Sequence, residues 1–164
     1  MKKSLLVLAL LFSSVSFAQS PADKSFPPEE LFALGSYYYP EQWDSSQWER
    51  DLKKMSEMGI KFTHFAEFAW AMMEPEEGKY DFTLLEKMIA SARREGLKLC
   101  FLWFGLWKNA ESFYVPFWMK KDTETYFRTE KVTGEKMNTI SPLCAAAVEK
   151  DRKAFTAVMR RIRE

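Results

Sequence analysis

Glycine, cysteine and histidine are scarce in this 164-residue chain, at six, two and one residues. The shortage of glycine excludes one large class at once. The first apolar run leaves through "GSYYYPEQW", bulky aromatics where a doubly wound nucleotide binder needs a glycine-rich turn to admit a phosphate. The single histidine, His64, and the absence of any Cys/His cluster exclude a metal signature, and no cofactor is expected. Cys100 lies inside an apolar run and Cys144 opens a distant helical segment, so a disulfide between them is not expected, although an even pair in an oxidising compartment allows one. Charge of one sign is also lacking. With 24 basic and 23 acidic residues the net charge is +1, and neither nucleic acid nor an anionic membrane is an expected partner.

Long apolar runs are missing too, and the longest belongs to the leader. "MKKSLLVLALLFSSVSFAQS" has two lysines, an apolar core from Leu5 to Phe12 and small residues before Gln19. That is the pattern of a secretory signal peptide, residues 1–18, cut after Ala18. Its core is too short for a spanning helix, so the mature chain is expected to be secreted or periplasmic and free of the membrane. Residues 19–30, "QSPADKSFPPEE", are polar and proline-containing and read as a linker. Residues 31–164 are enough for one domain.

Within that domain apolar runs and amphipathic segments alternate. "LFALGSYYYP" is of strand length and stops at Pro40; "DSSQWERDLKKMSEMG" then places Trp48, Leu52 and Met55 on one helical face, opens with Ser46 and Glu49 in capping-box spacing, and ends at Gly59. "IKFTHFAEF" is a second strand. After it, Thr83 and Glu86 repeat the capping spacing before Leu84, Leu85, Met88, Ile89 and Ala92, and Gly96 closes the helix. "LKLCFLWF" is a third strand. Strands with little alternation, separated by amphipathic helices, indicate a parallel sheet covered on both faces. The third connection, residues 105–143, is long, with a short helix expected at "VPFWMKKD"; a final helix carries Val148, Phe155, Val158, Met159 and Ile162 as its apolar stripe. The fold class is therefore α/β. Three strand–helix units are fewer than half of a (β/α)₈ barrel of about 250 residues; a small open α/β sheet is the alternative.

In parallel α/β folds the chemistry gathers beyond the carboxyl ends of the strands. The first strand delivers Tyr37, Tyr38, Tyr39, Glu41 and Trp43, the second Glu67 and Trp70, the third Trp103, Trp107, Lys108, Asn109 and Glu111. One rim thus collects flat apolar rings together with carboxylates, an amide and a lysine, which is what a sugar with one C–H face and many hydroxyls requires. Glu67 and Glu111 have the residue type for the two carboxylates of a retaining glycosidase, which stand about 5–5.5 Å apart. The segment Glu74–Phe82, by contrast, reads as a turn that delivers the next helix, with Asp81 placed where the helix dipole favours an acid.

"YYYPEQW", "WERDLKKMSEMGI" and "EFAW…EPEEGKYDF" resemble the start of the catalytic domain of family 42 β-galactosidases, and "LWFGLWKNAESFYVPFWMKKDTETYFR" through "ISPL" resembles secreted bacterial β-galactosidases of family 35. Both are retaining (β/α)₈ glycosidases of one clan. The resemblance covers residues 34–164 and implies the first three βα units of a TIM barrel, a carbohydrate substrate such as a β-galactoside, and a role in sugar binding for Glu111, which follows Ala110 in the family 35 pattern. It further implies that Glu67 faces the same subsite, with Trp70, Trp107 and Asn109 nearby. His64 departs from family 42, which has an arginine there. In the clan the acid/base glutamate ends the fourth strand and the nucleophile the seventh, so no catalytic carboxylate is expected within these 164 residues, and Glu67 and Glu111 become binding residues. A fragment inactive by itself is the first expectation; a non-catalytic secreted sugar-binding module and a chain without ligand are the alternatives. An isolated three-unit piece is expected to be molten or to aggregate.

Overall fold

Gly35 opens the first strand because nothing larger fits there: a Cβ at that position would lie 2.2 Å from the Phe62 ring of the neighbouring strand. The computed structural model describes residues 33–67, 69–109 and 111–163; the expected signal peptide and linker lie outside them. Strand β1 (Gly35–Tyr37) pairs in parallel with β2 (Phe62–Phe65), and β2 in parallel with β3 (Lys98–Phe101), giving the order β1-β2-β3. Register sets Tyr37, His64 and Cys100 side by side on one face. Thr63, Phe65, Leu99 and Phe101 fall on the other.

Helices cover that second face, not both as the sequence pattern suggests, and Tyr37 on the first is 68% exposed. Helix α1 (Trp48–Glu57) buries Trp48 and Leu52, as its spacing predicts. A short helix α2 (Trp70–Met73) follows β2, and α3 (Thr83–Arg94) buries Leu85, Met88 and Ala92. With Phe65, Tyr38 and Leu97 these side chains form the main core. Leu52 and Met88 are fully buried, and each such side chain contributes about 1.5–3 kcal/mol. Gly59 and Gly96 end α1 and α3 with positive φ, in keeping with their predicted stop positions.

Both helices start differently from the capping boxes read in the sequence. Ser46 lies in a 3-10 turn ahead of α1, and it is this turn that Asp44 caps, its carboxylate accepting from the Ser46 amide at 2.9 Å; α1 itself begins after Gln47 with no side-chain cap. At α3 Asp81 does the same for the Thr83 amide at 2.9 Å, while Glu86 binds Arg161. In each case an acid lies two residues ahead of the free amide, and its short side chain reaches that N–H without strain.

The long third connection has structure of its own. It contains α4 (Phe117–Lys121), where a short helix is expected, and an antiparallel hairpin of β4 (Arg128–Glu130) and β5 (Lys136–Ile140). Ser112 ties this hairpin to the loop after β3: its hydroxyl accepts from the Ile140 amide at 2.9 Å. A second core forms beneath these elements, built from Trp70, Leu106, Val115, Met119, Tyr126 and Ile140, with Trp103 touching both cores.

The last helix, α5 (Ala145–Arg163), keeps part of the expected stripe, with Val158 buried and Ile162 packed on the main core, and corrects the rest. Ala147, Ala154 and Val158 are fully buried, whereas Val148, Phe155 and Met159 are 46%, 41% and 36% exposed. Ala147 and Ala154 line the second core, and Phe155 lies beside Trp103 with ring centres 5.8 Å apart. Cys100 and Cys144 are both free thiols; the Cys144 sulfur donates to the Thr125 carbonyl at 3.3 Å.

Candidate functional site

Two loops leave the carboxyl ends of β2 and β3 and meet. At the end of β2, Ala66 takes a left-handed conformation, φ 70°, which costs a non-glycine residue free energy and is held by its surroundings. The turn brings in Glu67, whose side chain is 2% exposed. A buried carboxylate needs a partner, and Lys108 from the β3 loop supplies it as an ion pair. The Lys108 ammonium also lies 4.9 Å from the centre of the Phe104 ring.

Backbone bonds close the β3 loop tightly. The Lys108 amide donates to the Glu111 carbonyl at 2.9 Å and the Glu111 amide returns to Lys108 at 3.0 Å. Asn109, at the tip, is the second left-handed non-glycine residue among those described, φ 53°. The two such residues therefore flank the same cluster. Trp107 is 44% exposed, and the Oε2 atom of Glu111 is buried without a hydrogen-bond partner among the described residues. A buried acceptor in that condition is costly until a donor reaches it.

Of the five residues expected in the site, Glu67, Trp107, Asn109 and Glu111 are linked through Lys108 and its loop, although Ala110 lies outside the described residues. Trp70 is placed elsewhere. It is 3% exposed in the second core, its ring 5.5 Å from that of Trp103, and its indole donates to Glu74 Oε2 at 2.8 Å. Glu74 also accepts from the Gly78 amide at 2.9 Å, its own carbonyl accepts from the Trp118 indole at 3.1 Å, and Tyr80 bonds to its carboxylate. Burial and the Glu74 charge push the Tyr80 hydroxyl above its ordinary range. The Glu74–Phe82 segment is thus an internally bonded turn, as its capping pattern indicates.

His64 sits one level below the site, stacked on Tyr37 with ring centres 4.4 Å apart. Its Nδ1 is buried with no hydrogen-bond partner among the described residues.

One residue that governs the site escapes the sequence reading. Asp151 of α5 accepts from the Trp103 indole at 2.6 Å and from the Leu106 amide at 3.2 Å, fixing the stem of the loop that carries Lys108. Burial raises its carboxyl above the ordinary range, and the two hydrogen bonds oppose that rise. The available signal was an acid within the small-residue stripe Ala147, Asp151, Ala154 and Val158.

No group of three or more metal-ligating side chains forms among the described residues. A family model described as beta-galactosidase, Glyco_hydro_42, matches residues 37–157. The chain belongs to this family. Among curated relatives, β-galactosidase BgaA of Clostridium cellulovorans is 50% identical over 56 residues, covering 34% of this chain and 8% of the relative. The BgaA β-galactosidase of a Thermus species is 41% identical over 66 residues, or 40% of this chain and 10% of the relative. The solved β-galactosidase of Halorubrum lacusprofundi superposes with a TM-score of 0.68 at 27% identity, over 79% of this chain and 19% of its own. That of Bacillus circulans sp. alkalophilus gives 0.68 at 24%, over 82% and 20%. The chain thus spans about a tenth of the curated relatives and a fifth of the solved ones, and its α/β units are the first three of a (β/α)₈ barrel.

Proposed function

We propose that residues 34–163 form the β1–β3 sector of a β-galactoside-binding site, in which Glu67 and Glu111 bind sugar hydroxyls and Trp107 and Asn109 flank the ring. The observation that carries this is the cluster itself: a buried Glu67 paired with Lys108, and on the same loop as Lys108 a buried Glu111 oxygen with no hydrogen-bond donor among the described residues. A sugar hydroxyl is a neutral donor of the right size for that oxygen, and an exposed indole offers the apolar surface that a pyranose face covers. Glu67 acts in binding rather than as nucleophile or proton donor, because its carboxylate is engaged in the ion pair with Lys108. Trp70 contributes indirectly, by holding the Glu74 turn behind β2. The leader, residues 1–18, exports the chain.

Titrating the 164-residue chain with galactose and with lactose, followed by tryptophan fluorescence and saturation-transfer NMR, tests the binding. Weak saturable binding is expected, and Glu111→Gln and Trp107→Ala each weaken it. Equal binding by both folded variants overturns the assignment. Export is tested separately: expressed with its own leader, the chain should be recovered outside the cytoplasm with Gln19 as its first residue.

A further inference from the structure

Only two of the six tryptophans are strongly exposed, Trp107 at 44% and Trp43 at 54%. Trp107 belongs to the cluster just described. Trp43 does not. It lies on the turn between β1 and α1, and its surroundings come from that turn, from Met72 of α2 and from residues around the start of α3.

The turn that presents Trp43 is rigid. Pro40 begins it, and the Pro40 carbonyl accepts both the Trp43 amide at 3.1 Å and the buried Trp48 indole at 3.0 Å. The Trp43 ring therefore projects from a backbone already fixed by packing, so a ligand bears little ordering cost there. Trp43 forms one wall of a cavity of about 320 Å³, shared with Glu41, Ser45, Met72, Asp81 and Lys87. Its other side lines a second groove of about 310 Å³ with Tyr39 and Arg50. Hydrogen-bonding groups of three kinds, hydroxyl, carboxylate and ammonium, surround a single indole.

We propose that Trp43 is the platform of a second saccharide site, built from residues other than those of the Glu67 cluster, that holds one pyranose unit of a longer β-linked galactoside. A pyranose ring has an apolar C–H face edged by hydroxyls, and it is that combination which the groove matches. Galactose suits it well, since its axial hydroxyl leaves the opposite face of the ring a continuous C–H surface for the indole. Asp81 and Ser45 accept from hydroxyls at the ring edge, and Lys87, exposed on the first turn and a half of α3, donates to them. A purely apolar partner fits poorly, because it strands the carboxylates and the ammonium without water. The assignment goes beyond the site at Glu67 and Glu111, since no residue is shared between them.

The test is saturation-transfer NMR and fluorescence titration of the 164-residue chain with a β-linked galactotetraose and with galactose, comparing wild type, Trp43→Ala, Lys87→Ala and Trp107→Ala, each checked for native circular dichroism. Trp43→Ala is expected to bind the tetraose about tenfold more weakly while its affinity for galactose through the Trp107 site is unchanged. Should Trp43→Ala fail to fold, Lys87→Ala decides: weakened tetraose binding supports the second site, and unchanged binding overturns it. If Trp107→Ala abolishes all binding and Trp43→Ala none, the second site is wrong and the site at Glu67 stands. If only Trp43→Ala loses binding, the second site stands and the site at Glu67 falls. Absence of binding by the folded wild type overturns both.

Discussion

The carboxylate of Asp151, midway along α5, accepts a 2.6 Å hydrogen bond from the indole of Trp103 at the exit of β3. This bond fastens the last helix to the stem of the loop that carries Lys108 and Glu111. Burial raises the Asp151 carboxyl above the ordinary aspartate range, so the folded chain keeps this proton to higher pH than the unfolded chain does. The group's contribution to stability is then full below the ordinary value and is lost as pH rises through the raised one. Asp151→Asn removes the titration. The melting-temperature difference between variant and wild type should move in the variant's favour as pH rises from below the ordinary aspartate value through the raised one, and a difference that stays flat with pH would show that the carboxyl is not perturbed.

Gly105 follows from the same contact. Its φ is +53°, and a Cβ there would meet Asp151 Oδ2 at 2.2 Å. Gly105→Ala should cost about 2–4 kcal/mol by strain and overpacking together. Gly59 provides the comparison, with φ +81° and nothing within 4 Å of an added Cβ; Gly59→Ala should cost only about 1–2 kcal/mol. Urea unfolding of the two variants measures the difference.

Lys108 neutralises a carboxylate that is 2% exposed. Lys108→Met leaves Glu67 charged and unpaired, at a cost of about 3–5 kcal/mol. The double variant Lys108→Met with Glu67→Gln should recover most of that loss, because no charge is then buried. A double-mutant cycle by chemical denaturation reads the coupling, and additive effects would show that the pair is not formed.

Helix α5 offers two positions with opposite expectations. Ala154 is fully buried and Val148 is 46% exposed. Ala154→Leu should destabilise by about 1–3 kcal/mol through overpacking, whereas Val148→Ser should stay within about 0.5 kcal/mol. Thermal unfolding monitored by circular dichroism distinguishes them, and the reverse order would mean that the stripe of larger residues faces inward.

Much of the candidate site was legible in the chain. Glu67, Trp107, Asn109 and Glu111 were placed together because residues just beyond parallel strands share one rim, and the structure joins them through Lys108. Trp70 was not separable from them by that reasoning, since it too follows a strand. What distinguishes it is Glu74, four residues on, whose carboxylate holds the indole inside the core; a hydrogen bond of that kind depends on how one short helix is oriented, and strand order carries no information about it. Asp151 lies 48 residues from Trp103, and no local pattern connects the two.

The amino-acid order alone determined the alternation of strands and helices, the faces of α1 and α3, and the glycines that end them, because apolar spacing and backbone conformation are local properties. The inward face of α5, the ion pair between Glu67 and Lys108 and the latch at Asp151 were decided only by tertiary structure. Each rests on which of several similar side chains reaches a given atom first, a matter of a few ångströms that packing settles and sequence spacing does not.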